Sequence, residues 1–305
     1  MNKRRDFLKM LFTASAASLA TPLYAKSDNW VKINVLHTND LHSRIDPFPI
    51  NDPKYADLGG FSRLSATINA IRNTEENILL LDAGDIFQGT PYFNLYGGEL
   101  EFKLMSKMGY FASTIGNHDL DNGIDGLVDQ LGNADFQFIN CNYDVSKTRL
   151  KEHIVPYKIK EIKGIRIGIL GVGIELEGLV DKLNYGDMAY QDPIYHANRI
   201  AEYLKLEKKC DLIICLSHLG YSYENGKVSD QELAYENKYI DLIIGGHTHT
   251  FLEKPIWLKS RFKKLTLINQ VGWAGIQLGK IDLHFHKING DKEISGTNLI
   301  VNSLV

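Results

Sequence analysis

An α/β fold with a mostly antiparallel C-terminal portion is predicted by three features of this 305-residue sequence. Apolar runs of strand length alternate with amphipathic helical stretches over most of the chain. From about residue 253 onward the pattern contains strands only. The hydrophobic content of 44% supplies enough apolar side chains for a large core. We therefore expect one α/β domain without an internal repeat or a domain break.

The alternation of strands and helices is clear in the first half of the chain. Apolar side chains recur every three or four residues in GGFSRLSATINAIR (59–72), which predicts a helix. ILLLDA (78–83) is a short, continuous apolar run of the kind that forms a buried strand. The other elements predicted in this half are a strand at 31–37, a helix at 98–108 and strands at 111–115 and 136–142.

The second half begins with a predicted hairpin. YKIKEIKGIRIGILGV (157–172) contains two strand patterns separated by Lys163 and Gly164, a pair that suits a tight turn. The elements predicted after it are a helix at 193–209, strands at 211–217 and 239–246, and late strands that include AGIQLGKIDLHFH and GTNLIVNSL.

The first 25 residues have the composition of an export signal. Their apolar stretch of about 15 residues is too short to cross a bilayer of roughly 30 Å. RRDFLK (4–9) resembles the twin-arginine motif, which directs the export of folded proteins, and the Sec route is the alternative. We expect a periplasmic or extracellular protein whose mature domain spans residues 26–305. The basic residues that begin the signal are Lys3, Arg4, Arg5 and Lys9.

Charge and cysteine content exclude some classes of partner and site. Removing residues 1–25 takes away four positive charges and Asp6, so the net charge changes from −3 to −6. A mildly acidic protein is a poor candidate for non-specific nucleic-acid binding. Cys141, Cys210 and Cys215 lie in or beside apolar runs, which favours buried thiols over metal ligands.

Five short polar motifs follow five of the predicted strands. In an open α/β sheet, functional groups collect beyond the carboxyl ends of the strands. Each motif alone occurs more often in an ordinary turn or at the surface than in a metal site. Together they favour one convergent site. The motifs are DLH (40–42), GD (84–85), GNHD (116–119), SH (217–218) and GGHTH (245–249).

The residue types in these motifs indicate a metal centre. They offer imidazole and oxygen atoms but no thiolate, a mixture that suits zinc, manganese or iron. Seven candidates are too many for one tetrahedral ion but suit two ions that share a carboxylate. The pairs Asp40/His42 and His247/His249 have i, i+2 spacing, which in an extended chain places both side chains of a pair on one side. The candidates are Asp40, His42, Asp85, Asn117, His218, His247 and His249.

Glycines and aromatic residues are expected beside this centre. The glycines would allow backbone turns that a Cβ would hinder, and the aromatic side chains are candidates for lining a pocket for a base or another organic group. The glycines are Gly84, Gly116, Gly245 and Gly246, and the aromatic residues are Tyr92, Phe93, Tyr96 and Trp273.

Taken in order, the motifs DxH, GD, GNHD, SH and GHTH resemble the signature of the calcineurin-like metallophosphoesterases. Residues 31–300 are similar to the catalytic domain of the secreted 5′-nucleotidase family. The resemblance implies a four-layer αββα sandwich with a dinuclear metal centre. The similar segments are LHTNDLH (36–42), GGFSRL (59–64), LDAGDIFQGTP (81–91), GNHDLDNG (116–123), LSHLGY (216–221), IIGGHTH (243–249) and VGWAGIQLGKIDL (271–283).

The resemblance also implies how the two ions are held. A hydroxide bridging the ions would attack phosphorus directly, and two divalent ions offset by two carboxylates and that hydroxide keep one positive charge for an incoming phosphate ester. Asp85 would bridge the two ions. The first ion would be bound by Asp40, His42, Asp85 and His249, and the second by Asp85, Asn117, His218 and His247.

Two further residues of GNHDLDNG are expected to be catalytic. In the family, the histidine that matches His118 stabilises the transition state near the leaving-group oxygen. Asp121 follows three residues later, where a helical turn would place it beside His118 to orient the imidazole and favour its protonated form. Asp119 is expected only to cap the following turn.

The leading functional expectation is release of phosphate from 5′-nucleotides or related phosphate monoesters. Full-length 5′-nucleotidases carry a second domain that recognises the nucleoside, and residues 26–305 are expected to lack it. The alternatives are a phosphodiesterase, including one for cyclic nucleotides, a sulfur-ester hydrolase, and a catalytic half that needs a separate chain with the substrate domain. Metal binding without catalysis is disfavoured because His118 and Asp121 are both present. We expect no nucleic-acid partner and no stable membrane insertion.

Overall fold

Residues 29–303 are described by the computed structural model of the chain, and the predicted export signal lies outside them. These residues form two large β-sheets, one small sheet and the helices that cover them. Within this range no helix is long and apolar enough to cross a bilayer.

The strands of the described region are short except at the centres of the two large sheets. In chain order they are β1 (Trp30–Thr38), β2 (Ile78–Asp82), β3 (Ala112–Ser113), β4 (Gln137–Ile139), β5 (Tyr143–Asp144), β6 (Ile154–Val155), β7 (Tyr157–Ile162), β8 (Ile165–Gly173), β9 (Ala189–Tyr190), β10 (Leu212–His218), β11 (Leu242–Gly245), β12 (Ile256–Lys259), β13 (Leu265–Asn269), β14 (Gln277–His286) and β15 (Lys292–Ile300).

Helices connect many of these strands, and a 3₁₀ turn at His118–Leu120 follows β3. The α-helices in the described region are α1 (Phe61–Arg72), α2 (Pro91–Tyr96), α3 (Glu99–Met108), α4 (Gly123–Gln130), α5 (Lys182–Tyr185), α6 (Pro193–Leu206) and α7 (Asp230–Glu236).

Both large sheets have parallel centres. The first sheet has the order β15-β14-β1-β2-β3-β4-β6, in which β1, β2, β3, β4 and β6 run parallel and β14 and β15 are antiparallel additions. The second has the order β12-β13-β11-β10-β8-β7, with antiparallel strands only at its edges. The predicted antiparallel C-terminal portion is therefore present, although β13 pairs parallel with β11.

The two sheets pack face to face between two helical layers. Ile33 of β1 and Ile167 of β8 belong to the core between the sheets, where both are fully buried. Phe102 of α3 packs in the core outside the first sheet, and Ala201 of α6 and Leu233 of α7 pack in the core outside the second. Strands buried on both faces explain the continuous apolar runs of the sequence. The expected four-layer αββα sandwich is confirmed.

Several predicted boundaries were wrong at the strand ends. The strand predicted at 111–115 is only β3, because its partner β2 ends at Asp82 and the chain then turns at Gly84, which has a φ of 88°. The strand predicted at 136–142 is likewise reduced to β4. The hairpin at Lys163 and Gly164 is confirmed, since β7 and β8 pair antiparallel on either side of it.

The bounds of α6 and β11 also differ from the prediction. The helix predicted at 193–209 ends at Leu206, because Lys209 adopts a left-handed φ of 56° and the amide of Cys210 bonds back to the carbonyl of Leu204. The strand predicted at 239–246 is only β11, since the side chain of Asn237 accepts the amide of Ile240 and holds that segment in a turn.

Candidate metal centre

Strand ends from both sheets meet at one place. In the first sheet, the chain after β1, β2 and β3 supplies the first four candidate ligands. In the second sheet, His218 ends β10, and its neighbour Ser217 pairs with Gly245 at the end of β11, directly before the GHTH motif. Parallel strands place their carboxyl ends on one edge, so the fold brings the predicted clusters together.

The backbone conformation of the Asp40/His42 and His247/His249 pairs differs from the predicted one. Asp40 and His42 have φ values of 51° and 48°, and His247 and His249 have values of 71° and 50°. These are left-handed conformations in tight loops, so the expectation of extended chain was wrong. Asp85, with a φ of 55°, shares this feature. Non-glycine residues with positive φ are strained, and such strain concentrates at functional sites.

The first group of candidate ligands is Asp40, His42 and His249. The potential ligand atoms of this triad lie within 4.8 Å of one another. The Nε2 atoms of His42 and His249 are 2.9 Å apart, and His249 Nε2 is 3.4 Å from Asp40 Oδ1. Asp40 and His42 are buried and His249 is half-buried, so the triad opens to solvent on the His249 side.

The second group is Asp85, His218 and His247, whose potential ligand atoms also lie within 4.8 Å of one another. His218 Nε2 is 3.1 Å from Asp85 Oδ2. Asn117 joins this group because its Oδ1 lies 2.8 Å from His247 Nδ1. The two triads meet at Asp85, whose Oδ2 is also 3.9 Å from His42 Nε2.

The protonation pattern fits cation binding. His218 Nδ1 donates to the carbonyl of Ala83 at 2.7 Å, which leaves Nε2 to face the Asp85 carboxylate, yet Nε2 forms no hydrogen bond among the described residues. Burial lowers the pKa of His218, but the Asp85 carboxylate raises it to about 10, so without an ion this imidazole carries a proton that a bound metal ion would displace. Burial lowers the pKa of His42 and lowers that of His247 to about 4, which keeps both imidazoles neutral, as metal ligands must be.

A hydrogen bond of 2.9 Å joins His118 Nδ1 to Asp121 Oδ2 at the rim of the centre. The 3₁₀ turn that begins at His118 brings the two side chains together, as the three-residue spacing predicts. The hydrogen bond with Asp121 raises the pKa of His118 more than partial burial lowers it. This pair can therefore present a charged imidazole while its Nε2 remains available.

Asp119 has a larger structural role than the predicted cap. Its buried carboxylate accepts the backbone amides of Asp85 at 3.1 Å, Ile86 at 2.8 Å and Phe87 at 3.3 Å, and also that of Gly116 at 2.8 Å. It thereby ties the loop that carries Asp85 to the GNHD loop. Sequence reasoning missed this role, because no local pattern shows that a carboxylate will reach the amides of a distant loop.

Asn39 is a second residue that sequence reasoning missed. Its Nδ2 donates to Asp40 Oδ2 at 2.7 Å and to the carbonyl of Gly272 at 2.6 Å. Its Oδ1 accepts the amide of Val271 at 2.9 Å. Asn39 therefore orients the Asp40 carboxylate and fixes it to the loop between β13 and β14.

The predicted need for glycine is explained by close approach of backbone and ligands. A Cβ on Gly116 would lie 2.1 Å from Asp85 Oδ1, and one on Gly245 would lie 2.1 Å from Asp230 Oδ2. Gly84 combines a φ of 88° with a Cβ position 2.7 Å from the amide of Gly116. A larger residue at Gly116 would displace the Asp85 carboxylate, and one at Gly84 or Gly245 would push apart the loops around the centre.

Of the four predicted pocket aromatics, Trp273 lies against the triads. Its ring is parallel to that of His249, with centroids 5.5 Å apart and an interplanar angle of 6°. Phe93 is buried in the core outside the first sheet, Tyr92 bonds to Asp46 at the surface, and Tyr96 is half exposed. The three cysteines are free and belong to neither triad.

Comparisons with known proteins agree with this geometry. Residues 33–251 match the family described as calcineurin-like phosphoesterase. A 5′-nucleotidase of Vibrio cholerae is 33% identical over 95% of this chain and 56% of its own length, and that of Rattus norvegicus is 32% identical over 78% and 41%. The structure of a 5′-nucleotidase precursor from Thermus thermophilus superposes with a TM-score of 0.80 at 31% identity, over 89% of this chain and 55% of that one.

The chain thus spans about half the length of the relatives it matches. The matched part contains both His/Asp triads, which are candidate sites for a two-metal centre. The chain therefore belongs to the calcineurin-like phosphoesterase family, as a hydrolase related to the 5′-nucleotidases.

Proposed function

We propose that this chain is a two-metal phosphoesterase that releases phosphate from 5′-nucleotides or related phosphate monoesters. The observation that carries the proposal is the junction of the two triads at Asp85, with the His118–Asp121 pair at their rim. The names of the matched relatives support a 5′-nucleotide as the substrate.

The proposed ligand sets follow from the position of Asp85 between the triads. Its Oδ2 faces His218 Nε2 at 3.1 Å and His42 Nε2 at 3.9 Å, which suits a shared carboxylate. Ions held there would acidify water and bind phosphoryl oxygens. Imidazole with carboxylate and amide oxygen suits zinc, manganese or iron. We assign Asp40, His42, Asp85 and His249 to one ion, and Asp85, Asn117, His218 and His247 to the other.

His118 would act on the leaving group. Its Nδ1 is held by Asp121, so its Nε2 can donate to the oxygen that departs from phosphorus. A protonated imidazole at that point would stabilise the charge that develops on this oxygen and supply the proton it needs. No nucleophilic Ser or Cys is required, which agrees with the three free cysteines outside both triads.

Export completes the proposal. Residues 1–25 have the sequence of a signal with a twin-arginine-like motif, and residues 26–305 would act as one catalytic domain outside the cytoplasm. The small-molecule ester would be the principal partner. A separate chain that carries a substrate domain is an alternative that the experiment below separates from a self-sufficient enzyme.

The test is phosphate release by purified residues 26–305 loaded with Mn²⁺ or Zn²⁺. AMP, an aryl phosphate and an aryl phosphodiester are compared, with His118→Ala as the control. His118-dependent release from AMP supports the proposal. Release from the aryl monoester but not from AMP would place nucleotide specificity in another chain, and preference for the diester would favour the phosphodiesterase alternative. Absence of activity with both metals bound would overturn the self-sufficient enzyme.

A further inference from the structure

Trp273 lies against the first triad, and two further aromatic side chains continue from it; we call the three together the aromatic wall: Tyr55, Phe251 and Trp273. Tyr55 and Trp273 are half-buried, and Phe251 is 38% exposed. A single exposed ring is ordinary on a protein surface, whereas a contiguous apolar patch often marks a binding site. The aromatic wall is therefore a candidate for substrate contact.

Trp273 connects the aromatic wall to the metal centre. One face of its indole lies parallel to the imidazole of His249, at 5.5 Å and 6°, and its edge approaches His42 at 6.2 Å and 70°. His42 in turn lies 5.3 Å from His118, measured between ring centroids. The row of rings from His118 to Trp273 thus runs across the first triad.

The position of Trp273 is fixed by the same loops that hold the ligands. The amide of Ala274 donates to the carbonyl of Asp40 at 2.7 Å, and Asn39 binds the carbonyl of Gly272 at 2.6 Å. Ala274 has a positive φ of 58°, a conformation that only surrounding contacts can maintain. The indole is consequently held at a set distance from Asp40 before any substrate binds.

Tyr55 and Phe251 extend the surface away from the triad. Their rings stack at 6.0 Å and 30°, and Tyr55 meets Trp273 edge-on at 6.0 Å and 77°. Phe251 lies directly over Gly272, where a Cβ would come within 2.1 Å of its ring. The three rings therefore form one continuous apolar surface that begins at the metal ligands.

We propose that the aromatic wall is a subsite for the planar ring of the leaving group, such as the base of a nucleoside or the ring of an aryl alcohol, when the ester is bound at the metal centre. This inference rests on the proposed phosphoesterase function. Stacking tolerates different planar rings because each has a π-face. The aromatic wall would therefore select nucleoside and aryl esters over alkyl esters such as glycerol phosphate, without reading the identity of the base.

Binding can be measured without turnover. The chain contains three tryptophans, so the double variant Trp30→Phe, Trp257→Phe leaves Trp273 as its sole indole. We expect saturable quenching of its fluorescence by adenosine and none by ribose, in residues 26–305 with or without added metal. Equal effects of adenosine and ribose, or no quenching by either, would overturn the subsite.

Selectivity gives the second readout. Trp273→Leu should lower kcat/KM about tenfold for AMP and for an aryl phosphate and leave glycerol phosphate unchanged, because only the planar groups lose their stacking partner. Trp257→Leu, at an indole that is 46% exposed on β12, is the matched control and should leave kcat/KM unchanged for all three esters. An equal loss on all three esters would assign Trp273 a packing role and contradict the proposal.

Phe251→Leu is a second variant that tests the subsite even if Trp273→Leu misfolds, since it removes an exposed ring that does not contact the triads. It should produce the same selective loss for planar esters. If the unsubstituted protein releases phosphate from no ester, the proposed function fails, whereas the quenching by adenosine still decides whether the subsite exists.

Discussion

The backbone amide of His118 donates a hydrogen bond of 2.8 Å to Asp85 Oδ1. The other oxygen of the same carboxylate faces His42 and His218. The candidate bridging ligand and the candidate catalytic imidazole are therefore parts of one connected unit. Because the bond uses the backbone of His118, its side chain can be altered without removing this support from Asp85.

Replacing His118 by alanine should separate chemistry from metal binding. We expect kcat to fall by about 10²–10⁴-fold, the usual contribution of a positioned acid or base, with metal content unchanged. Phosphate release and bound metal are measured on the same sample. His153→Ala, at an exposed position outside the triads, is the control and should keep full activity. A fully active His118→Ala protein would remove His118 from the mechanism.

The role of Asp121 predicts a shift in the pH profile. Asp121 raises the pKa of His118, and the protonated imidazole is the form that assists the leaving group. Activity should therefore fall as pH rises through the pKa of His118. Asp121→Asn removes the raising charge, so this alkaline limb should move to lower pH in a plot of kcat/KM. A limb that stays in place or moves upward would contradict the assignment.

Asp119 should contribute to stability although its carboxylate is not a candidate metal ligand. Asp119→Ala leaves the buried amides of Asp85, Ile86 and Gly116 without their acceptor, which we expect to cost about 3 kcal/mol in the free energy of unfolding. Urea unfolding measures this loss. Asp129→Ala is the control, since that side chain is 62% exposed and pairs with Arg149 at the surface. Equal stability of the two variants would show that the amides find other partners.

Two glycine substitutions test the close approach at the centre. Gly116→Ala places a Cβ 2.1 Å from Asp85 Oδ1, whereas Gly132→Ala meets nothing within 4 Å and has no positive φ. We expect Gly116→Ala to lose metal and activity, and Gly132→Ala to keep both with equal or slightly higher stability. Metal analysis after gel filtration distinguishes them. Normal metal content in Gly116→Ala would mean that the Asp85 loop can move aside.

Much of the site could be predicted because its candidate ligands lie in short motifs at strand ends. The spacing of His118 and Asp121 predicts their contact, and a 3₁₀ turn supplies it. The convergence of Asp40 and His42 with His247 and His249 was also predicted, but for the wrong reason, since these candidate ligands have left-handed backbone rather than extended chain. Sequence spacing alone does not reveal a positive φ at Asp or His.

The parts that could not be predicted depend on contacts between distant segments. Asn39 reaches the loop at Gly272, and Asp119 reaches three successive amides of another loop. Strand length has the same origin: β3 stops early because the neighbouring strand has already turned away. Local propensity does not contain such information, because the partner of each group is chosen by the tertiary fold.

The most direct test of a two-metal phosphoesterase is the rate of phosphate release as Mn²⁺ is titrated into metal-free protein. Asp85 lies between both triads, so the rate should rise until two equivalents per chain are bound, and Asp85→Asn should show no such rise. Full activity in the chelated protein, or saturation at one equivalent, would contradict the account.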